Sequence, residues 1–205
     1  MAEDWKAIKR ELKVHGWLLL LPLAAMWIIQ VINAVTLHSL DRFGIHPWST
    51  AGLLGILFAP FLHGSFGHLM ANTLPFLLFG WLILLHDVRD FVVVSLLAML
   101  VGGLGTWVTG APGSVHIGAS GVIFGYFGFL LLRGWFRRSV GSILLSLLLG
   151  VVYGGLIFGV LPGQAGISWQ GHLFGFLGGG LSAWMLCRKQ RQPVPVPVAP
   201  RVAVR

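Results

Sequence analysis

Four groups of polar side chains lie in or beside long apolar stretches of the sequence, where polar groups are costly and are therefore candidates for function. They are His63, His68 and Asn72; Gly118-Ala119-Ser120-Gly121; Trp169-Gln170-Gly171-His172; and the glycines of the last apolar run. A serine hydroxyl becomes nucleophilic when a general base takes its proton, and histidine is the usual base. The residue types therefore indicate Ser120 as a candidate nucleophile and His172 as its candidate base.

The surroundings of Ser120 suit attack on a carbonyl group. Ser120 is predicted to begin a helix, where free backbone N–H groups can stabilise an oxyanion. Gly118 and Gly121 leave room for a substrate backbone, and His68 and Asn72, four residues apart on one helix face, can donate further hydrogen bonds. Taken alone, Gly-x-Ser-Gly in a membrane helix more often indicates close helix packing. A lone histidine at a helix start is likewise more often interfacial than catalytic.

The acidic residues offer His172 no partner at membrane depth. All six lie in predicted flanks or loops: Glu3, Asp4, Glu11, Asp41, Asp87 and Asp90. We therefore expect a Ser-His dyad and not a Ser-His-Asp triad. The same distribution argues against a His-Glu-x-x-His metalloprotease and against a two-aspartate protease, so neither a metal ion nor a cofactor is expected. The single cysteine, Cys187, excludes an internal disulfide.

The composition predicts that membrane helices position these residues. Charged residues make up only 10% of the chain and the mean hydropathy is +0.85, whereas soluble domains carry about 25% charged residues. The apolar runs are 16–36, 66–85, 91–109, 119–132, 140–161 and 170–187. They predict an all-α, polytopic membrane protein with six transmembrane helices. The first run could also be a signal peptide, but it is longer than a signal core and lacks a clear small-x-small exit.

Basic residues indicate the orientation of these helices. With a cytoplasmic N-terminus, the inner segments are 1–15, 86–90, 133–139 and 188–205, and they hold every lysine and arginine except Arg42. This distribution predicts that both termini lie inside. The net charge of +8 therefore flanks membrane helices, and it does not form the basic stripe of a nucleic-acid-binding protein.

Three regions of the chain follow from this interpretation. They are a cytoplasmic flank (1–15), a six-helix catalytic membrane domain (16–187) and a basic, Pro/Val-rich tail (188–205) that we expect to be disordered. The long outer loop 37–65 is apolar enough to lie at the outer interface. The fourth run has about 14 residues and reaches about 21 Å, against a hydrocarbon core of about 30 Å. Its outer end, with Ser120, should lie below the outer surface.

Helix directions and glycines predict how the site assembles. The second, fourth and sixth runs all pass from outside to inside, so His68, Ser120 and His172 begin parallel helices at a similar depth. Small residues three or four positions apart let helix backbones approach closely. We expect the fourth and sixth runs to pack through Gly121, Gly125, Gly175 and Gly179.

Together these motifs resemble the rhomboid family of intramembrane serine proteases. The resemblance is carried by His63-Gly-Ser-Phe-Gly-His68-Leu-Met-Ala-Asn72, by Gly118-Ala-Ser120-Gly121, and by Gly171-His172 with Gly175 and Gly179, in this order over about residues 15–187. It implies a six-helix rhomboid bundle that cleaves through a Ser120–His172 dyad. It also implies an oxyanion site made by the Ser120 amide, His68 and Asn72.

The resemblance further implies the substrates and their route. Family members cut transmembrane helices, which would arrive sideways from the lipid past the fifth run and the outer loop 162–169. We assign His63, Gly118, Phe124 and Trp169 to the surroundings of the oxyanion and substrate. Phe124 replaces a tyrosine found in many relatives, so it could stack under His172 without a hydroxyl hydrogen bond. The first outer loop has His46-Pro47-Trp48 where relatives often carry an arginine.

Two other functions are compatible with the sequence. A catalytically dead relative could bind and retain membrane clients, but it should have lost a member of the dyad, and both are present. A solute transporter or channel could line a polar path with buried histidines, but no inverted repeat is visible between the chain halves. We expect a bacterial inner membrane, an active site open to the outer side, and membrane proteins and lipid as partners.

Overall fold

The computed structural model describes residues 2–164 and 166–189, and in that part of the chain the secondary structure is helical apart from one isolated bridge between Ile45 and His116. The α-helices are α1 (Ala2–Val35), α2 (Gly55–Phe58), α3 (Phe66–Leu84), α4 (Val88–Thr109), α5 (Ser120–Arg137), α6 (Val140–Tyr153) and α7 (Trp169–Lys189). Single 3₁₀ segments are Ser39–Phe43, Ala51–Leu53, Ala59–Phe61 and Gly154–Val160. The predicted all-α fold is thus confirmed.

In the described part of the chain, four segments are long and apolar enough to cross a membrane: Trp5–Val35, Phe66–Leu84, Val88–Thr109 and Val140–Val160. Helices α5 and α7 fall short of this criterion, although they occupy the predicted fourth and sixth runs. Large apolar side chains are exposed along the outer helices, as in a protein whose surface is covered by lipid. The count of six spans stays a prediction.

Helices α5 and α7 pack backbone to backbone and run in the same direction. A methyl group added to Gly175 would overlap the carbonyl of Gly121, and one added to Gly179 would overlap the carbonyl of Gly125. Only glycine permits this approach, because any side chain would force the helices apart. Gly121 contacts Gly175, and four residues later Gly125 contacts Gly179, so the two helices are parallel and their N-terminal ends lie side by side.

Helix α3 runs in the same direction on the other side of α5. Phe76 packs on Tyr126 with ring centroids 6.0 Å apart, and Phe79 stacks on Phe127 at 5.8 Å. Helices α3, α5 and α7 therefore begin at one end of the bundle. Helix α4 returns between them in the opposite direction, where Gly102 lies against Gly175.

A buried ion pair joins the opposite ends of α4 and α5. Arg133 Nη1 donates to Asp90 Oδ2 at 2.9 Å, and the two side chains are only 4% and 7% exposed. The prediction that both residues lie in loops is wrong. Helix α4 begins before Asp90 and α5 continues past Arg133 to Arg137, and within the helices each of the two buried charges neutralises the other.

Other helix limits also differ from the predicted runs. Helix α1 begins at Ala2, so residues 2–15 of the predicted flank are the start of a continuous helix. Helix α6 ends at Tyr153 and continues as the 3₁₀ segment Gly154–Val160, which the sequence analysis treated as one apolar run. Residues 190–205 of the predicted disordered tail lie outside the described part of the chain.

Candidate active site

Ser120 is the first residue of α5, and the preceding loop fixes its position. The backbone of Gly118 has φ +123°, a conformation that glycine alone adopts readily. A methyl group there would also lie 2.9 Å from His68 Nε2. Two hydrogen bonds fix this loop to the segment that precedes α3. Gly118 N–H donates to the Ala59 carbonyl at 2.9 Å, and Ala119 N–H donates to His63 Nε2 at 3.4 Å.

His172 lies in the first turn of α7, and both of its ring nitrogens have partners. Nε2 is 2.7 Å from Ser120 Oγ, and Nδ1 is 2.9 Å from the carbonyl oxygen of Gly159. A carbonyl oxygen can only accept, so Nδ1 carries the proton. Nε2 is then the acceptor for the Ser120 hydroxyl, which is the tautomer that a general base requires.

Phe124 supports the imidazole from one side. It lies one turn after Ser120 on α5, and its ring is parallel to that of His172, with centroids 4.0 Å apart and 9° between the planes. The predicted stacking of Phe124 under His172 is therefore present in the structure.

Helix α3 brings His68 and Asn72 to the same end of the bundle. The Ser65 hydroxyl caps this helix by accepting from His68 N–H at 3.0 Å. A cleft of about 590 Å³ is lined by residues of α3, α5 and α7, including His68, Asn72, Ser120 and His172. Asn72 is 8% exposed, and its Nδ2 has no hydrogen-bond partner among the described residues. An unpaired donor of this kind is available to a ligand.

The other predicted site residues lie further from the cleft. His63 is fully buried behind it, with its ring edge-to-face with that of His68 at a centroid distance of 5.0 Å. Burial, and to a smaller extent the neighbouring His68, lower the pKa of His63 from 6.5 to about 4. Gly118 lines a smaller cavity behind Ser120. Trp169, at the start of α7, is not among the described residues that line the cleft.

Sequence reasoning missed several residues of the site. The most important is Gly159, whose contribution is a backbone carbonyl that any residue type could offer. Ser168 precedes α7, and His116 precedes Ser120, yet the two side chains lie within hydrogen-bond distance. Among the described residues, no group of three or more His, Cys, Asp or Glu side chains could hold a metal ion.

Comparison with known proteins shows the family to which the chain is similar. The model of the Rhomboid domain matches residues 50–189. "Uncharacterized protein Rv1337" of Mycobacterium tuberculosis is 42% identical over 187 residues, which cover 87% of this chain and 78% of that protein. "Uncharacterized protein ML1171" of Mycobacterium leprae is 41% identical over 187 residues, or 87% and 74% of the two chains. "Putative rhomboid protease YdcA" of Bacillus subtilis is 32% identical over 138 residues, or 64% and 66%.

The family model covers more than half of the chain, and the similarity to the mycobacterial proteins extends to residues outside it. The predicted resemblance is confirmed. The chain belongs to the rhomboid family, whose membership implies a multi-pass integral membrane protein with serine protease activity.

Proposed function

We propose that this protein is an intramembrane serine endopeptidase that cleaves transmembrane segments of other membrane proteins, with Ser120 as nucleophile and His172 as general base. The observation that carries the proposal is the 2.7 Å contact between His172 Nε2 and Ser120 Oγ. The bond from His172 Nδ1 to the Gly159 carbonyl adds support, because it holds the ring in the tautomer that can accept the serine proton.

The proposed reaction passes through an acyl-enzyme. Ser120 Oγ attacks the substrate carbonyl carbon while its proton moves to His172 Nε2. The tetrahedral intermediate collapses, the C–N bond breaks, and His172 returns the proton to the leaving amine. Water then attacks the ester carbonyl carbon and gives a proton to His172. The bond from this carbon to Ser120 Oγ breaks, the carboxyl product leaves, and His172 returns the proton to Ser120 Oγ.

Asn72, His68 and the Ser120 backbone N–H are the proposed oxyanion donors. The Asn72 amide supports this role most directly, because its Nδ2 is buried and has no partner among the described residues. A substrate oxyanion would satisfy that donor only when charge develops, which is the condition for accelerating the chemical step.

The proposed membrane arrangement has six spans with both termini in the cytoplasm. Helices α3, α5 and α7 would then begin on the outer side, and the cleft would open there, in the inner membrane of a bacterium. The relatives described above are bacterial, which supports this location. The cleft is lined by Ala71 and Pro75 of α3 and by Leu156 of the segment after α6, so a substrate helix would arrive between these two elements.

The test uses the full chain in proteoliposomes with a fluorogenic transmembrane substrate and a fluorophosphonate probe. Wild-type protein should cleave the substrate and be labelled, and Ser120→Ala should do neither. Ser182→Ala is the matched control, because Ser182 is a fully buried helix serine whose hydroxyl, among the described residues, donates to the Gly178 carbonyl of its own helix, at 2.8 Å.

Each outcome separates the proposed enzyme from its rivals. Cleavage by Ser120→Ala would show that another residue is the nucleophile. A wild-type protein that binds membrane proteins but is neither labelled nor active would be a non-catalytic client-binding relative. Loss of labelling in Ser182→Ala as well would mean that the labelling reports folding and not a particular hydroxyl.

A further inference from the structure

A second histidine, His116, connects the two segments that carry Ser120 and His172. Its Nδ1 is 2.7 Å from Ser168 Oγ, and its Nε2 is 2.9 Å from Ser114 Oγ. Ser114 Oγ in turn donates to the Ala111 carbonyl at 2.6 Å, and Ser168 Oγ lies 3.4 Å from Gly171 N. The His116 and Ser168 side chains form none of their described hydrogen bonds with the side chains of Ser120 or His172.

The donors and acceptors in this chain of contacts have one consistent assignment. Ser114 gives its only proton to the Ala111 carbonyl, so it must accept from His116 Nε2–H. His116 Nδ1 is then unprotonated and accepts from the Ser168 hydroxyl. The Ser168 oxygen accepts from the Gly171 amide at the first turn of α7.

The assignment requires a neutral imidazole, and the surroundings favour one. Burial, with a smaller contribution from His46, lowers the pKa of His116 below its usual value. His46 itself points elsewhere, with Nε2 2.9 Å from the Arg42 carbonyl. At neutral pH the chain of hydrogen bonds is therefore intact.

The two residues at the centre of this hydrogen-bond network, His116 and Ser168, are close in sequence to the proposed catalytic residues. His116 is four positions before Ser120, and its backbone is fixed by a two-way bridge to Ile45, with N···O distances of 2.9 and 3.0 Å. Ser168 is four positions before His172, and its carbonyl accepts from His172 N–H at 3.2 Å. A shift of either segment would change the Ser120–His172 separation.

We propose that His116 is a positioning residue that acts through Ser168 to hold the first turn of α7, and therefore the His172 ring, at the correct distance from Ser120. This inference rests on the proposed function of Ser120 and His172. The pair joins a loop fixed to Ile45 with a helix start that otherwise follows the long outer connection after α6. The His116–Ser168 hydrogen bond therefore holds the start of α7 against the loop that precedes Ser120.

Substitutions at His116 separate this role from simple helix capping. His116→Leu removes the bond to Ser168 but leaves the Ser168 cap on Gly171. His116→Asn restores an acceptor, because Asn Oδ1 can take the place of Nδ1. A displacement of about 1 Å at a catalytic pair costs up to about a hundredfold in rate. We expect His116→Leu to lower kcat tenfold to a hundredfold, with KM within about threefold, and His116→Asn to recover most of that loss.

The experiment measures kcat, KM, the rate of fluorophosphonate labelling and the thermal midpoint for wild type, His116→Leu, His116→Asn, Ser168→Ala and the His116→Leu/Ser168→Ala double variant. If the pair acts as one unit, the double variant should lose little more activity than the worse single variant. Labelling should slow in parallel with kcat, because both depend on the same hydroxyl–imidazole geometry.

Two results would overturn the inference. One is a folded His116→Leu protein with wild-type kcat and labelling rate, and the other is full additivity of the two single losses. Failure of the proposed function looks different, because wild type itself would then be unlabelled, or Ser120→Ala would still cleave. In that case both proposals fall.

Discussion

The ring of Phe124 lies parallel to the imidazole of His172, 4.0 Å away between centroids. Together with the Gly159 carbonyl on Nδ1, this contact restricts both the tilt and the rotation of the imidazole. The orientation that a carboxylate gives to histidine in a catalytic triad is here supplied by an aromatic face and a backbone oxygen.

Replacing Phe124 should therefore reduce catalysis more than its effect on stability explains. An aromatic pair contributes about 0.5–1.5 kcal/mol beyond its buried area, and 1.4 kcal/mol corresponds to about tenfold in rate. We expect Phe124→Leu to lower kcat about tenfold with little change in KM. The control is Phe129→Leu, which removes a fully buried ring from the same helix away from His172. Equal kcat losses in the two variants would contradict a specific role for the stack.

Asn72→Ala should impair the reaction without weakening the fold. Loss of one oxyanion donor typically lowers kcat by about 10²–10³-fold. The Asn72 Nδ2 has no partner among the described residues, so its removal leaves no broken hydrogen bond within them. Steady-state cleavage and thermal unfolding in detergent check the two parts. A kcat within about twofold of wild type would exclude Asn72 as an oxyanion donor.

The glycine contact between α5 and α7 predicts a steep dependence on side-chain size. A methyl group at Gly179 would overlap the Gly125 carbonyl and lie 2.9 Å from its Cα. Overpacking of this kind costs about 1–3 kcal/mol, so Gly179→Ala should lower the unfolding midpoint and the activity together.

Gly141→Ala on α6 is the matched control for that substitution. Among the described residues, nothing lies within 4 Å of a methyl group added to Gly141, and alanine is favoured over glycine inside a helix by about 0.5–1 kcal/mol. The unfolding midpoint of Gly141→Ala should equal or exceed that of wild type. A Gly179→Ala protein as stable as Gly141→Ala would show that α5 and α7 can separate freely.

Stability should fall in mildly acidic solution because of His63. Burial lowers the folded-state pKa of His63 to about 4, whereas the unfolded chain has the ordinary value of 6.5. Between these values the unfolded state binds more protons, so the free energy of unfolding decreases as the pH drops from 6.5 towards 4. Protonation of Nε2 also removes the acceptor for Ala119 N–H.

Thermal midpoints measured from pH 7 to pH 4 test this dependence. His63→Gln keeps an acceptor for the Ala119 amide but does not titrate, so its midpoint should change less with pH than that of wild type. Identical slopes for the two proteins would assign the acid sensitivity to other groups.

The helices were predictable because a long apolar run that lies in a membrane can adopt few backbone conformations. A membrane segment must satisfy its backbone hydrogen bonds internally, so each run predicted a helix, and the limits of α3 agree with the prediction to one residue. The approach of Ser120 to His172 was also foreseeable, because parallel helices that start with these residues meet at their first turns.

Contacts between distant polar groups were not predictable in the same way. Asp90 and Arg133 are 43 positions apart, and His116 and Ser168 are 52 apart. Each residue alone resembles an ordinary loop residue, and only the folded bundle shows that they meet. The Gly159 carbonyl has no sequence signature, since every residue carries one.

The side-by-side N-termini of α5 and α7 also determine the electrostatic character of the cleft. Aligned peptide dipoles give each helix about half a positive charge at its first turn. Ser120 lies in the first turn of α5 and contacts His172 in the first turn of α7. A negative tetrahedral adduct on Ser120 is thus favoured by the backbone itself. Anionic mimics of that adduct, such as boronates, should bind better than neutral compounds of the same shape.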